Sequence, residues 1–521
     1  MRTFSVSRPE VGRAAGCLAT IEDWRRWWTA YARLPMILAC PDQGLPGQWT
    51  AVWRTQAASA LLETGKQGRY TVLAGTIRTR FVGDADGGAC RQTEDGAGRA
   101  QVVERRRGSP LALLRAWLAE RRMPAVNGAP PFHGGLVGYL TYDVVETFET
   151  LRLPPRPPLD YPGFIWAEVE EGWVFDHPTN TLFCFCLTTP DAADHPDAAF
   201  ARAHQRTQDL LDQWMRWRNE PVPPPPPEDP AELPPGYFAG TGLRLSPARA
   251  DYLAAVLAAQ ERIAAGETYQ ANLSVRQRRR LTAAPERIYE ALRRLNPSPY
   301  LALLRFPEVT IVSGSPELLL SAEQGRLVTH PIAATRPRGH TPAGDAALAG
   351  DLVADAKERA EHLMLVDLLR NDLGRVAAYG SVRVMEFMAV ERYSHVMHLV
   401  SRIEGRLAEG RDLCDAIASV FPGGTITGAP KIRTMELIGG LEPDRRGIYT
   451  GAIGWIGYND NLKLSIAIRT LVAVGAEAQV QSGAGVVADS QPEKEWDESL
   501  AKARALWLAV ERAEAEGRTD G

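Results

Sequence analysis

"YTGAIGWIGYNDNLKLSIAIRTLVAVGAEAQVQSGAGVV", Tyr449 to Val487, holds three strand-like runs in succession, and a helical pattern begins at about Glu493. The runs YTGAIGWIGY, LKLSIAIRTLVAV and EAQVQSGAGVV are apolar and broken by short turn-forming stretches, as consecutive strands are. The same pattern continues upstream. TYQANLSVRQRRRL, YLALLRF, VTIVSGS, RLVTHPIA, SVRVMEFMAV and YSHVMHLVSRIEG read as strands. PERIYEALRRLN, KERAEHLMLVDLLRND, RDLCDAIASVF and APKIRTMELIGGL read as helices. Ser246-Pro247 reads as an N-cap with proline at the first helical position, opening a helix that Gly266 stops. Runs of strands separated by helices predict an α+β fold with large antiparallel sheets. Residues 1–220 are also mixed, with strands near YTVLAGTI and GWVFDHPTNTLFCFCL. The segment PVPPPPPEDPAELPPG, Pro221 to Gly236, is extended and cannot join a core. The expected organisation is an N-terminal domain over 1–220, a proline-rich linker over 221–244 and a C-terminal domain over 245–521.

Composition removes several function classes. Of the 521 residues 45% are hydrophobic and 23% charged, with a formal charge of −4, so nothing favours nucleic acid or an anionic membrane. No run approaches the roughly 18 apolar residues of a membrane span, and MRTFSVSRPEVGRAAG has no apolar signal core. Six scattered cysteines show neither zinc nor disulfide spacing, so a reducing cytoplasm is the expected compartment. Only six lysines stand against 53 arginines, which marks each lysine as a place where a compact charge is wanted.

Four segments carry chemistry. Glu358 and Glu361 lie three apart on one helix face, where like charges repel by about a few tenths of a kcal/mol. Glu495 and Glu498 repeat the spacing on the last helix, and Lys502 lies four beyond Glu498, which a plain helix salt bridge also explains. Either these faces lie in water, or the two pairs clamp Mg²⁺, a hard ion that takes carboxylate oxygens. FPGGTITGAPKIR, Phe421 to Arg433, runs glycine-rich into a helix and offers N–H groups to an anion. Ala429-Pro430-Lys431 replaces the Lys-Ser/Thr of a phosphate loop, so a carboxylate is the better guest. QSGAGVV is a second glycine-rich approach or a bulged strand. Arg469, in AIRT on a strand, is a carboxylate clamp or a buried pair. His395 and His398, three apart on a strand, face opposite sides and form no metal pair. No cysteine sits in G-x-C-x-G, the nucleophile setting of an amidotransferase. Together these features suit a small, multiply anionic metabolite whose leaving group is activated by metal.

HPIAATRPRG, ERAEHLMLVDLLRNDLGRV, RYSHVMHLVSRIEG, FPGGTITGAPKIRTMELI, YTGAIGWIGY, SIAIRT and SGAGVVADSQPEKEWDES together resemble the chorismate-utilising enzymes, from about residue 245 to the C-terminus. LLETGKQGRYTVLAG and GGLVGYLTYD resemble the aminating members more loosely. The resemblance implies a large α/β sandwich of antiparallel sheets with helices on the outside. It gives Mg²⁺ to Glu358, Glu361, Glu495 and Glu498, and the ring carboxylate of chorismate to Gly483, Ala484, Gly485 and Lys502. The enolpyruvyl carboxylate goes to Tyr449 and Arg469. Thr425, His398 and the segment Ala333, Ala334 and Thr335 lie by the ring, and Glu317 protonates the departing C4 hydroxyl. Gln270 stands where isochorismate-forming relatives carry a water-activating lysine, which points to ammonia as nucleophile. Ala333 stands where some aminodeoxychorismate synthases carry a ring-attacking lysine, and Ala334 replaces the usual glycine. FPGGTITGAPKIRTMELI and NLSVRQ are most similar to aminodeoxychorismate synthase component I, with anthranilate synthase component I next. The activity this resemblance implies is amination of chorismate for 4-aminobenzoate and folate, coupled to a separate glutamine amidotransferase subunit that supplies ammonia. LLET, with Thr64, and NPSPY also resemble the tryptophan-binding element of anthranilate synthases; the alternative is a structural pocket or a remnant of one, and little inhibition by tryptophan is expected.

Overall fold

The computed structural model describes residues 15–42, 44–46, 58–65, 68–85, 87–94, 100–220, 242–339, 341–392 and 396–519, the side chains of 333–335, 357, 396 and 517–519 excepted. Among these residues the strands form two antiparallel sheets, one of thirteen strands and one of twelve. Their central strands are buried on both faces: every residue of Ala452–Gly457 and Phe164–Val169 is buried, and all are apolar but Glu168, which accepts from Arg121 at 3.0 Å and Tyr458 at 2.7 Å. The inner faces meet through Ile37, Val72, Val137, Ile165, Phe185, Ile311, Ile453 and Val472. Helices Pro196–Asn219, Pro285–Leu295 and Pro492–Thr519 cover the outside of the thirteen-stranded sheet, where Trp173, Trp214, Leu292 and Trp507 pack. Helices Pro110–Ala119, Ala356–Gly374 and Leu413–Val420 cover the other sheet through Trp117, Leu369 and Ile417. The fold is thus the expected sandwich of antiparallel sheets with helices outside. No described helix is long and apolar enough to cross a membrane.

Both sheets take strands from both sides of the proline-rich segment, whose residues 221–241 lie outside the described residues. Ser59–Glu63 pairs with Tyr300–Arg305, Leu61 opposite Leu303. Gly135–Leu140 pairs with Ala452–Gly457, Gly138 opposite Gly454. A β-carbon on Gly138 would come within 1.8 Å of the Ile165 carbonyl oxygen, so this central strand position demands glycine.

Two local expectations need correction. Ser246 is no N-cap: it ends the short strand Arg244–Ser246, which pairs with Gln270–Arg280, and the helix Arg249–Ala264 starts behind Ala248. Gly266, at φ +76°, does stop it. The run LKLSIAIRTLVAV is two strands in different sheets, Leu462–Ile466 and Thr470–Val474, and Arg469 lies between them at φ +50°. A residue in the left-handed region cannot continue a strand.

Because each portion completes the other's sheets, residues 245–521 expressed alone should melt without a cooperative transition, and co-expression with 1–220 should restore one. Circular dichroism melting checks this, and a cooperative transition from the isolated C-terminal portion would count against it.

Candidate active site

Two neighbouring strands change sheets side by side. Thr310–Ser315, in the thirteen-stranded sheet, continues through Pro316 and Glu317 into Leu318–Glu323 in the other. Leu462–Ile466 returns through Ala467 to Arg469 into Thr470–Val474. Ser315 Oγ donates to the Ile466 carbonyl at 2.6 Å. The Ile466 N–H donates to the Glu317 carbonyl at 3.0 Å, and the Gly314 N–H to the Arg469 carbonyl at 3.0 Å. Glu317 and Arg469 therefore leave the backbone where the sheets part, and both enter one cavity of about 870 Å³.

Gln270 and Asn272, alternate residues at the start of Gln270–Arg280, line the same cavity, as period-2 geometry requires. Gly483 and Gly485 come from the partner strand Glu477–Val486, opposite Ser274 and Asn272. A β-carbon on Gly485 would fall 2.4 Å from Gln270 Nε2. One on Gly483 would fall 2.5 Å from the Leu273 carbonyl oxygen and 2.8 Å from both Asn272 Oδ1 and the Tyr449 hydroxyl. These glycines make a concave floor. Lys502 Nζ donates to the Gly483 carbonyl at 2.9 Å and pairs with Glu498 at 2.8 Å. The Tyr449 hydroxyl donates to Asn272 Oδ1 at 3.4 Å, and burial raises its pKa, so it stays a neutral donor. Burial disfavours the charge of Arg469, which Glu498 and Tyr449 partly restore.

Glu317 is 7% exposed. Burial pushes its carboxyl up to about 7, against the opposing pull of a 2.6 Å hydrogen bond donated by Thr425 Oγ1 and of the Lys502 charge. A carboxyl so placed is part protonated at neutral pH and can act as an acid.

The four glutamates line this cavity from two helices, Glu358 and Glu361 from Ala356–Gly374, Glu495 and Glu498 from Pro492–Thr519. Glu358 accepts from Arg336 Nη1 at 3.0 Å, as Glu498 accepts from Lys502. Among the described residues no three His, Cys, Asp or Glu side chains gather closely enough to enclose a metal ion. The donor set itself, carboxylate oxygens without imidazole or thiolate, fits a hard divalent cation.

Other expected residues lie elsewhere. His398, on Val396–Arg406 opposite Thr335, is not among the cavity's lining residues. Ala484 is fully buried and does not line the cavity. Ala333, Ala334 and Thr335 belong to the strand Ile332–Pro337, bulged between Ala333 and Thr335, and their side chains lie outside the described residues, as does His395. Lys431 is no ligand cation. It pairs with buried Asp372 at 2.5 Å and reaches the Val420 carbonyl at 3.3 Å, so it anchors the glycine-rich segment.

Sequence reasoning missed Asn272, Gln481 and Lys494 in the lining. Asn272 was legible by its period with Gln270. It also missed Arg446, which is fully buried, pairs with Glu442 at 2.8 Å, and donates to the Asn272 carbonyl at 2.6 Å and the Ile426 carbonyl at 2.9 Å. One arginine among 53 gives no signal of such a role.

A second cavity of about 350 Å³ lies between the sheets and shares Pro316 with the first. Thr64, Pro299, Tyr300, Trp455 and Lys463 line it, which brings LLET and NPSPY together. Burial lowers the Lys463 pKa, and its ammonium lies 5.8 Å from the Tyr300 ring centroid. Glu63 is engaged by Tyr289 at 2.7 Å and by Arg293.

The antiparallel sandwich and the cavity at its crossing strands have counterparts among known proteins. The chain belongs to the chorismate binding enzyme family, whose model matches residues 79–507. It is 41% identical to aminodeoxychorismate synthase component 1 of Bacillus subtilis over 479 residues, 90% of this chain and 95% of that protein. It is 45% identical to anthranilate synthase component 1 of Streptomyces coelicolor over 431 residues, 82% of each. The crystal structure of anthranilate synthase component I from Streptococcus pneumoniae TIGR4 superposes with a TM-score of 0.70 at 29% identity, covering 90% of this chain and 100% of that one. The protein is a chorismate-utilising enzyme.

If the glycine floor receives a carboxylate, Gly485→Ala, whose added carbon meets only the end of the Gln270 side chain, should stay folded and raise the KM for chorismate about tenfold or more, the loss of one charge-assisted hydrogen bond. Steady-state kinetics checks this, and an unchanged KM would remove Gly485 from the site.

Proposed function

We propose that this chain is component I of an aminodeoxychorismate synthase, exchanging the C4 hydroxyl of chorismate for an amine on the way to 4-aminobenzoate and folate. The observation that carries the reading is Glu317, a buried acid near neutrality, in one cavity with the amide of Gln270. An amide cannot take a proton from water, so it fails as the base that hydration needs. Ammonia is nucleophilic without a base, and Gln270 can hydrogen-bond it. A separate glutamine amidotransferase subunit supplies that ammonia.

Arg469 and Tyr449 hold the enolpyruvyl carboxylate, and the Gly483 and Gly485 floor with Lys502 holds the ring carboxylate. Glu317 gives its proton to the C4 oxygen, which departs as water. The ammonium formed on the ring returns a proton to Glu317. Glu358, Glu361, Glu495 and Glu498 would hold Mg²⁺, which when bound supplies positive charge against the substrate's carboxylates. With Ala333 in place of lysine, no amine is offered to the ring from that position.

Two observations support the folate branch. The segments FPGGTITGAPKIRTMELI and NLSVRQ resemble aminodeoxychorismate synthase component I. Lys463 lines the second cavity beside Glu63 and Glu391, which are paired with Arg293 and His330, and it repels the ammonium of tryptophan, the ligand implied by the resemblance of LLET and NPSPY to anthranilate synthases. The higher identity to the Streptomyces protein favours the second reading, anthranilate synthase component I.

Three measurements test this. Chorismate, ammonium and Mg²⁺ should give no pyruvate in a lactate dehydrogenase coupled assay until an aminodeoxychorismate lyase is added, whereupon 4-aminobenzoate appears; glutamine should not replace ammonium. Prompt pyruvate with blue anthranilate fluorescence would select the second reading. Glu361→Gln and Glu498→Gln should fold yet lose activity, whereas full turnover by either in EDTA would refute the metal clamp. The acid must be protonated to act, so kcat should fall as pH rises through about 7, and a kcat flat to pH 9 would dismiss Glu317 from that role.

A further inference from the structure

The Glu317 carboxyl accepts one side-chain hydrogen bond among the described residues, from Thr425 Oγ1 at 2.6 Å. Its backbone is tied separately, its N–H to Ser315 Oγ at 3.3 Å and its carbonyl to the Ile466 N–H. Thr425 sits in the single turn Gly424–Ile426, which is braced on three sides. Thr427 Oγ1 donates to the Gly423 carbonyl at 3.0 Å. Arg446 holds the Ile426 carbonyl at 2.9 Å. Leu368, from the helix bearing Glu358 and Glu361, packs so close that a β-carbon on Gly424 would fall 2.4 Å from it. A hydroxyl held this way keeps its single proton directed at Glu317.

We propose that Thr425 is a positioning residue for the acid: its hydroxyl proton orients Glu317 and stabilises the carboxylate that forms as Glu317 gives up its proton. This rests on the reading of Glu317 as the acid. As the C4–O bond breaks, its electron pair goes to oxygen, which takes the Glu317 proton and leaves as water. The negative charge then appears on Glu317, at the end of the Thr425 hydrogen bond. A hydrogen bond to a carboxylate is about twice as strong as one to a neutral carboxyl, so the contact tightens as the proton leaves and lowers the barrier. The proton surrendered by the ring-bound ammonium restores the neutral acid. Because its own proton is committed, Thr425 offers the ring only lone pairs, a preference for substrate groups that donate.

The test compares Thr425→Val, Thr425→Ser and Glu317→Gln in the full chain with chorismate, ammonium and Mg²⁺, measuring kcat, KM and the pH dependence of kcat. Thr425→Val should lower kcat about 10- to 100-fold, the worth of a hydrogen bond to a charged group, and leave KM within about twofold. Without the donor the neutral carboxyl is favoured, so the basic limb of kcat should move up by about one pH unit. Thr425→Ser should restore both. A basic limb unmoved in Thr425→Val, or a Thr425→Ser as impaired as Thr425→Val, would overturn the proposal. Should the valine variant misfold, Thr425→Ala removes the same donor from a smaller side chain. Glu317→Gln separates the two claims. Wild-type kcat in that variant refutes the acid itself, whereas an inactive Glu317→Gln beside an unmoved limb refutes Thr425 alone.

Discussion

Everything in the site hangs on the paired crossing of Thr310–Ser315 and Thr470–Val474 out of one sheet and into the other. A strand that changes sheets leaves backbone groups without ladder partners, and buried unpaired groups cost about 1–3 kcal/mol each. Here the two crossings satisfy one another through Ser315, Ile466, Glu317 and Arg469, so neither crossing is sound without its neighbour. The departure from strand geometry lets Arg469 adopt φ +50° and lets Glu317 point away from both cores. A side chain on a regular strand would have to face one core or the other.

Around that crossing the cavity is built from opposed charges. Five glutamates, Glu317, Glu358, Glu361, Glu495 and Glu498, line it, and Arg469, Lys494 and Lys502 answer them. Glu317 responds to its burial by holding its proton, since desolvation outweighs the Thr425 hydrogen bond and the Lys502 charge that favour its carboxylate. Glu358 and Glu498 respond by recruiting Arg336 and Lys502. An anionic substrate entering such a site needs added positive charge, and the two acidic pairs are where a divalent cation would bring it. Deeper in, Arg446 with Glu442 and Lys431 with Asp372 are buried pairs that hold the walls. Removing one partner of such a pair costs about 3–5 kcal/mol, so they fix geometry more than they add stability.

How much of this the sequence disclosed depends on how local each signal is. Glu358 with Glu361, Glu495 with Glu498, and Gly483 with Gly485 are short-range patterns, and all of these residues reach the one cavity. The crossing was invisible. The strands on either side of it, Leu462–Ile466 and Thr470–Val474, are both largely buried and mostly apolar, so LKLSIAIRTLVAV read as one strand in spite of Arg469. Ser246-Pro247 carried a helix-start signature, yet pairing with Gln270–Arg280 drew Ser246 into a strand. Register decided the rest. Ala484 is turned from the cavity by the alternation that presents its neighbours, and His398 lies opposite Thr335 beyond the lining. Arg446 acts through carbonyls far away in sequence, and no spacing encodes that.

The two cavities meet at the crossing as well. Pro316 lines both, and its neighbour Glu317 opens to the larger one. The smaller cavity draws its wall from Leu62 and Thr64 on one side of the proline-rich segment and from Tyr300, Trp455 and Lys463 on the other. The N-terminal strands are therefore not a separate appendage to the site. They complete the thirteen-stranded sheet beside Tyr300–Arg305 and wall the cavity that Pro316, the neighbour of Glu317, also lines. The interleaving of the two portions of the chain is thus a physical link between its N-terminal strands and its chemistry.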